Sequence, residues 1–287
     1  MGPLLSETRS VYGDVCAREC GERLIIDLSK PSVARMYDHL LGGTDNYQVD
    51  RDACAELLRL APSTRELALV NRAFLVRAVR YLAQEHGVRR FLDHGSGLPT
   101  RPNVHQVAQE VDPTSEVVYI DNDPVVLAHG EMMLAEDPTT TAVLEADMRN
   151  TTGIFNSRAV RRLLRDDKPV AALFVSVLHC IPDKDDPWCL VRNVVEQLPR
   201  GSYLVISQLA SDDAELRESI TDFMCEITDD SWGQVRSKSE VQRFFEGLDL
   251  LEESEPVEVS RWHPDSDIAP RQRSEEWIEY GGVARIG

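Results

Sequence analysis

The stretch Phe91-Leu92-Asp93-His94-Gly95-Ser96-Gly97-Leu98-Pro99-Thr100 decides the fold. A short apolar run ends in a carboxylate and passes directly into a Gly-x-Gly turn, the point where an open α/β sheet meets its ligand. The dinucleotide form of this turn needs a third glycine for close helix packing. Leu98, Pro99 and Thr100 stand in that place, which argues against NAD and FAD. No Gly-x-x-x-x-Gly-Lys-Ser/Thr run exists, so a P-loop nucleotide site is excluded at the level of motif.

Working outward, four further apolar runs follow at residues 115–121, 140–147, 169–179 and 201–209, each succeeded by a turn and an amphipathic stretch. Strands alternating with helices predict βαβ units and a parallel sheet covered on both faces. Three helical stretches come before the sheet. In the first, Val33, Met36, Tyr37, Leu40 and Leu41 recur at helical spacing and stop at Gly42-Gly43, a C-cap signal; residues 50–60 and 64–85 follow. Residues 212–227 and 238–246 read as late helices, and 248–251 and 277–286 as closing strands. The segment between those strands, with Pro256, Pro264 and Pro270, reads as loop. The expected fold is a doubly wound α/β sheet with late antiparallel strands. Its expected organisation is an N-terminal arm at 1–30, a helical cap at 31–86 and a ligand-binding core with insertions at 87–287.

The chain has 287 residues, with 31 Lys+Arg against 49 Asp+Glu and a formal charge of −18. A surface this acidic repels polyanions, so nucleic acid is not an expected partner. No apolar run reaches membrane-spanning length, and the first residues lack the basic end and apolar centre of a signal peptide. The expectation is therefore a cytoplasmic protein with no membrane partner. The cysteines at 16, 20, 54, 180, 189 and 225 show no Cys-x-x-Cys pair and no histidine at finger spacing, so no metal site is expected and the thiols read as free.

Asp121 closes the second apolar run, where a carboxylate can accept both hydroxyls of a ribose. Asp123-Pro124 reads as a helix start, with Asp123 as N-cap. Asp147-Met148 closes the third run and offers a carboxylate for an adenine amino group and a flexible apolar side chain for its ring. Asp93, the Gly-x-Gly turn, Asp121 and Asp147-Met148 together suit an adenosine that carries no phosphate. S-adenosylmethionine meets that description, and its sulfonium suits an acidic site with aromatic faces.

At these residues the chain resembles the class I S-adenosylmethionine-dependent methyltransferases, and more narrowly an actinobacterial family of them once catalogued as an uncharacterised domain. The resemblance spans about residues 28–286. It rests on Ala34-Arg35-Met36-Tyr37-Asp38-His39-Leu40-Leu41-Gly42-Gly43-Thr44-Asp45-Asn46-Tyr47, then Asp50-Arg51, Asn71-Arg72-Ala73-Phe74-Leu75 and the stretch quoted first. It continues through Val118-Tyr119-Ile120-Asp121-Asn122-Asp123-Pro124-Val125-Val126-Leu127 and Val177-Leu178-His179-Cys180-Ile181-Pro182-Asp183. The resemblance implies a Rossmann-like, seven-stranded, mostly parallel sheet with its last strand antiparallel, and an N-terminal helical cap. It also implies contacts to the methyl donor from Gly95, Ser96, Gly97, Asp121, Asn122, Asp147 and Met148. His94 departs from the β-branched or aliphatic residue expected there.

Methyl transfer from a sulfonium is an in-line displacement and needs a base only where the acceptor has a proton to lose. His179, after the fourth run, is a candidate base. Tyr37, with Gly43 and Asn46 beside it in the cap, is expected to close over the donor, and Tyr37 is the second catalytic candidate. Asp93 and Ser176 complete the expected donor site. Trp188, Trp232 and Trp262, with Phe223 and Met224, are candidates for an aromatic acceptor pocket. The expected acceptor is a small aromatic or heterocyclic natural product, with an indole such as a tryptophan cyclodipeptide suggested by family analogy. S-adenosylhomocysteine is the expected product of the donor, and a homodimer is compatible with the sequence. Two other readings stand beside this one: a donor-binding regulator without catalysis, and an RNA methyltransferase using the cluster Arg158, Arg161, Arg162 and Arg165.

Overall fold

The computed structural model describes residues 28–134, 139–229, 232–264 and 277–287. Most of the expected arm, Cys16, Cys20 and Pro270 lie outside them. The first helices are α1 (Val33–Leu41), α2 (Gln48–Leu60) and α3 (Thr64–Glu85). Then follow β1 (Arg90–His94), α4 (Val104–Val111), β2 (Glu116–Asp121), α5 (Pro124–Leu134), β3 (Thr141–Glu145), α6 (Thr151–Asn156), α7 (Arg158–Leu163) and β4 (Ala171–Val175). The remainder is α8 (Pro187–Gln197), β5 (Tyr203–Ala210), α9 (Ala214–Thr228), α10 (Lys238–Gln242), β6 (Asp249–Leu250), β7 (Val257–Glu258) and β8 (Ile278–Arg285).

Strands β1 to β5 are the five apolar runs of the sequence, and they pair in parallel in the order β3-β2-β1-β4-β5. Strand β8 then runs antiparallel along β5, with Ile206 opposite Gly282 and Ala210 opposite Ile278. Seven strands were expected, and the described residues form eight. The difference lies at one edge, where the two-residue strands β6 and β7 share the outer side of β8, one at Ala284 and Arg285 and the other at Tyr280 and Gly281. The second of these falls in the segment read from sequence as loop. Two residues at a sheet edge carry too little period to be seen in a sequence rich in proline.

Alternation along the strands divides the core into two layers. Leu92, Val118, Ala172, Phe174, Leu204 and Ile206 face α6, α7 and α8. Phe91, Val117, Ala171, Leu173 and Val205 face α3 and α4. Phe74, Phe91 and Phe174 are 0% exposed, and full burial of such a side chain contributes about 1.5–3 kcal/mol.

A third cluster holds the cap, uniting Met36 and Leu40 of α1, Leu57 of α2, Leu67 of α3, Ile220 and Met224 of α9, and Trp277. Helix α3 serves both clusters, its first turns in the cap and the rest on the sheet, so packing runs continuously across the boundary expected at residue 86. Helix α1 ends where expected, at Gly42, whose φ of +84° is a left-handed C-cap that favours glycine. The cap is pinned by a buried ion pair between Arg35 Nε and Asp50 Oδ2 at 2.8 Å. The Asp50 carboxylate also accepts from the backbone N–H groups of Ser32 and Tyr47, and so closes the start of α2. Among the described residues no helix is long and apolar enough to cross a membrane.

Candidate active site

The carboxyl ends of β1, β2, β3 and β4 open on a cavity of about 600 Å³ roofed by α1, α3 and α9. This is within the size range of ligand clefts, and it lies where a doubly wound sheet binds its ligand. Strand alternation turns Asp93 into the cavity and His94 away from it. His94 stacks on Phe174, with ring centroids 4.3 Å apart, and is fully buried, so its imidazole belongs to the opposite core layer. Burial pushes His94 down to about 4, which leaves it neutral.

After β1 the chain turns through Gly95, whose φ is +67° and whose α-carbon passes so close to Val177 that a side chain there would overlap it. The N–H groups of Gly95 and Ser96 both donate to the Ile120 carbonyl, at 2.8 and 3.1 Å. The Gly97 N–H donates to Asp121 Oδ2 and the Asp123 N–H to Asp121 Oδ1, each at 2.9 Å. Asp121 therefore shapes the glycine turn, and each of its oxygens keeps lone-pair capacity for another donor. Burial raises the Asp121 carboxyl above its ordinary value. Asp123 is the cap read from the sequence, accepting from the Val125 N–H at 2.8 Å, and it also accepts from Ser32 Oγ at 2.6 Å, tying the cap to this turn.

Asn122, Asp147, Met148 and Ser176 line the same cavity. Asp147 is engaged by Arg149, whose guanidinium spans from it to Asp185, and this pairing holds the Asp147 carboxyl below its ordinary value. Gly43 and Asn46, expected at the donor, are not on the cavity wall. They lie behind Asp38, which is: Asn46 Nδ2 donates to Asp38 Oδ2 at 2.7 Å, and a side chain at Gly43 would overlap the same carboxylate. Gly43 thus leaves room for the Asp38 carboxylate, while Gly42 serves as the left-handed C-cap of α1.

Arg72 of α3 was not singled out from the sequence. Its guanidinium lines the cavity beside Asp93, donates to the carbonyls of Thr100 and Pro102, and leaves Nε buried with no hydrogen-bond partner. Burial pushes the Asp93 carboxyl up to about 7, with Arg72 opposing the shift and Asp121 adding to it.

The far half of the cavity is apolar, with Leu57, Leu67, Met224, Trp232 and Trp277 on its walls. Trp232 and Met224 were expected there. Trp188 instead stacks on Phe244, Trp262 packs edge-on against Phe74 and Tyr81, and Phe223 packs within the cap cluster, none of them on the cavity wall. His179 lies against Trp232, ring centroids 4.5 Å apart, with Nδ1 buried and without a hydrogen-bond partner. Burial, aided by Arg236, pushes its imidazole down to about 3.

Where the halves meet, one polar chain crosses the fold. Tyr37 Oη donates to the Ala68 carbonyl and accepts from Asn71 Nδ2, and Asn71 Oδ1 accepts from Ser207 Oγ. Ser207 Oγ accepts from the Ser176 N–H, and Ser176 Oγ donates to Glu279 Oε1 at 2.6 Å. Glu279, on β8, is 1% exposed, and burial pushes it up to about 8 against the lowering effect of Ser176. Sequence reading passed over Glu279, although a lone carboxylate inside the apolar closing strand was a signal. The arginine cluster takes no part: Arg162 of α7 and Arg165, just after that helix, pair with Glu116, at the amino end of β2 and so at the opposite edge of the sheet.

Comparison with known proteins agrees with this geometry. The family profile described as S-adenosyl methyltransferase matches residues 20–287. Among solved structures, the chain is similar to a DUF574 family protein from Streptomyces avermitilis MA-4680, at 38% identity and a TM-score of 0.84, covering 91% of this chain and 99% of that one. It is equally similar to a methyltransferase candidate from Thermobifida fusca YX, at 38% identity and a TM-score of 0.83, covering 91% and 96%. No curated protein matches it. A profile spanning nearly the whole chain, on a sheet of this order, has one reading: the chain belongs to the S-adenosyl methyltransferase family and is an S-adenosylmethionine-dependent methyltransferase.

Proposed function

We propose that this methyltransferase acts on a small, neutral aromatic or heterocyclic acceptor, an indole-containing natural product such as a tryptophan cyclodipeptide being the first to test. The observation that carries the reading is the apolar half of the cavity, where Trp232, Trp277 and Met224 adjoin the strand-end carboxylates without a barrier between them.

The residues present fit the methyl donor. Arg72 Nε is a buried donor lacking an acceptor, which a carboxylate would supply, and Asp121 has capacity left for two hydroxyls. Arg72 and the turn at Gly95, Ser96 and Gly97 would hold the amino-acid end of S-adenosylmethionine, with Asp93 facing its ammonium. Asp121 and Asn122 would hold the ribose. Asp147 and Met148 would hold the adenine, whose amino group competes with Arg149 for the Asp147 carboxylate. When bound, S-adenosylmethionine supplies a methyl group activated by its sulfonium.

Tyr37 and Ser176 both line the cavity and are joined to each other through Asn71 and Ser207. His179, neutral and weakly basic, serves in this reading as an aromatic wall with Trp232.

Calorimetric titration with S-adenosylmethionine and separately with NAD, followed by mass spectrometry with an indole panel, tests the proposal. Binding of the first ligand alone and a one-methyl mass gain on an indole support it. Binding with no transfer to any member of the panel would favour a regulator that has kept the donor site.

A further inference from the structure

Glu279 is the one carboxylate on the cavity wall that comes from β8. It faces the cavity because alternation sends Ile278 and Tyr280 into the opposite layer with Phe174 and Ile206. Its place is fixed from two sides. Pairing of Glu279 with Leu209 holds the backbone, and Ser176 Oγ holds one carboxyl oxygen at 2.6 Å. Ser176 in turn hangs from Ser207, Asn71 and Tyr37, so the carboxyl is indexed to the cap that covers the cavity.

A proton acceptor works best when its affinity for the proton is matched to the operating pH. By this criterion the imidazole favoured by sequence is badly placed, since His179 is pushed down to about 3. Glu279, pushed up to about 8, is well placed.

We propose that Glu279 is the proton acceptor of the methyl-transfer site, brought to its ionised form by the positive charge of the bound donor, and that it takes the proton from an N–H or O–H of the acceptor. The assignment rests on the small-acceptor reading of the cavity given above. In the transfer, an electron pair of the acceptor forms the new bond to the methyl carbon, and the pair of the breaking S–CH₃ bond stays on sulfur. The acceptor's proton goes to the Glu279 carboxylate and leaves to water when the product departs.

The other ionisable groups around the cavity come from α1, α3 and the ends of β1 to β4, while α2, α9 and β5 present only uncharged side chains to it. They are Tyr37 and Asp38 on α1, Arg72 on α3, Asp93 on β1, and Asp121 and Asp123 at and after β2. Asp147 and Arg149 follow β3, and His179, Cys180, Lys184 and Asp185 follow β4. Tyr37 is raised by burial and Cys180 is pushed up to about 12, so both stay neutral. Asp93, pushed up to about 7, is the neighbour that titrates nearest to Glu279, and substituting Glu279 alone separates the two.

S-adenosylmethionine and S-adenosylhomocysteine differ by the sulfonium charge, so the ratio of their affinities reports how the site answers that charge. Below about 8 the free Glu279 carboxyl is protonated, and a cation that lowers its proton affinity displaces that proton on binding. The expected result is a ratio favouring S-adenosylmethionine that rises with pH and levels off above about 8. The limit of the rise is about tenfold per pH unit for one proton released. Glu279→Gln should flatten the ratio while still binding S-adenosylhomocysteine. Ser176→Ala, which removes the hydrogen bond favouring the ionised form, should move the levelling point to higher pH and stands in should the first variant fail to fold.

A ratio that is flat in the native protein, or that keeps its slope in Glu279→Gln, overturns the proposal, as does an unmoved levelling point in Ser176→Ala. With an indole from the panel as acceptor, Glu279→Gln should lose about 10²- to 10⁴-fold in kcat, and an unchanged kcat overturns the proton-acceptor role. Failure of both ligands to bind the native protein is a different result, which removes the donor site and the Glu279 assignment together.

Discussion

Ser176 Oγ donates a 2.6 Å hydrogen bond to Glu279 Oε1, joining the turn after the fourth strand to the closing antiparallel strand. Ser176 makes this bond from a backbone with φ of +55°, a left-handed conformation that costs a residue with a β-carbon about 1–2 kcal/mol. The strained turn thus delivers a side chain to the junction of the cavity's two halves, a common use of backbone strain at functional sites.

Removing the Ser176 hydroxyl in two ways separates strain from hydrogen bonding. Ser176→Ala and Ser176→Gly both lose the bond, but only glycine also relieves the left-handed backbone. Urea unfolding should find the glycine variant more stable than the alanine variant by about 1 kcal/mol. Equal stability would show that the turn is not strained.

The buried carboxyls set a pH dependence of stability whose sign follows from their raised proton affinity. Glu279 moves from an ordinary 4.5 to about 8 in the folded chain, so between those values the folded state holds a proton that the unfolded state has lost. Unfolding free energy should therefore fall as pH rises across that window, with Asp93 contributing up to about 7. His94 and His179, lowered to about 4 and about 3, act in the opposite sense only up to their ordinary value of 6.5. The decline between about 7 and about 8 is then the share of Glu279. Urea unfolding across this range should show it in the native chain and lose it in Glu279→Gln.

Arg72→Gln should weaken both S-adenosylmethionine and S-adenosylhomocysteine by about 10- to 100-fold, the worth of a charge-assisted hydrogen bond of about 1.5–3 kcal/mol. The losses should be equal because both ligands carry the same carboxylate. Calorimetry showing a loss for only one of them would move Arg72 away from that group.

Asp121→Ala should abolish donor binding and also lower stability by about 1 kcal/mol, since it removes the acceptor for the Gly97 and Asp123 N–H groups. Asp121→Asn, which keeps one acceptor oxygen, should recover part of the stability and little of the affinity. Retained affinity in the alanine variant would place the ribose elsewhere.

The Arg35–Asp50 pair holds the cap from a fully buried position, with side chains 3% and 0% exposed. Breaking it with Asp50→Ala leaves an uncompensated guanidinium and should cost about 3–5 kcal/mol, while replacing both partners with apolar residues should cost much less. Urea unfolding of the single and double variants gives the comparison.

The sequence by itself determined what depends on neighbours along the chain. The five parallel strands show as apolar runs, the Gly95 turn as glycine where the backbone must be left-handed, and Asp121, Asp147 and Met148 as residues at the end of a run. Adjacency to a strand end is enough to put such residues in the cleft, because the sheet fixes that edge.

The tertiary structure decided what depends on residues far apart. Glu279, Arg72 and Trp277 reach the cavity from the closing strand, a cap helix and the position just before that strand. No local pattern brings Ser176 within bonding distance of a carboxylate 103 residues away. Trp188 and Trp262 look like Trp232 in sequence and differ only in which layer they fill. Proton affinity was equally invisible. An isolated histidine titrates near neutrality and an isolated glutamate far below it. Burial disfavours the charged form of each, lowering the one and raising the other, and so exchanges which of the two can take a proton at neutral pH.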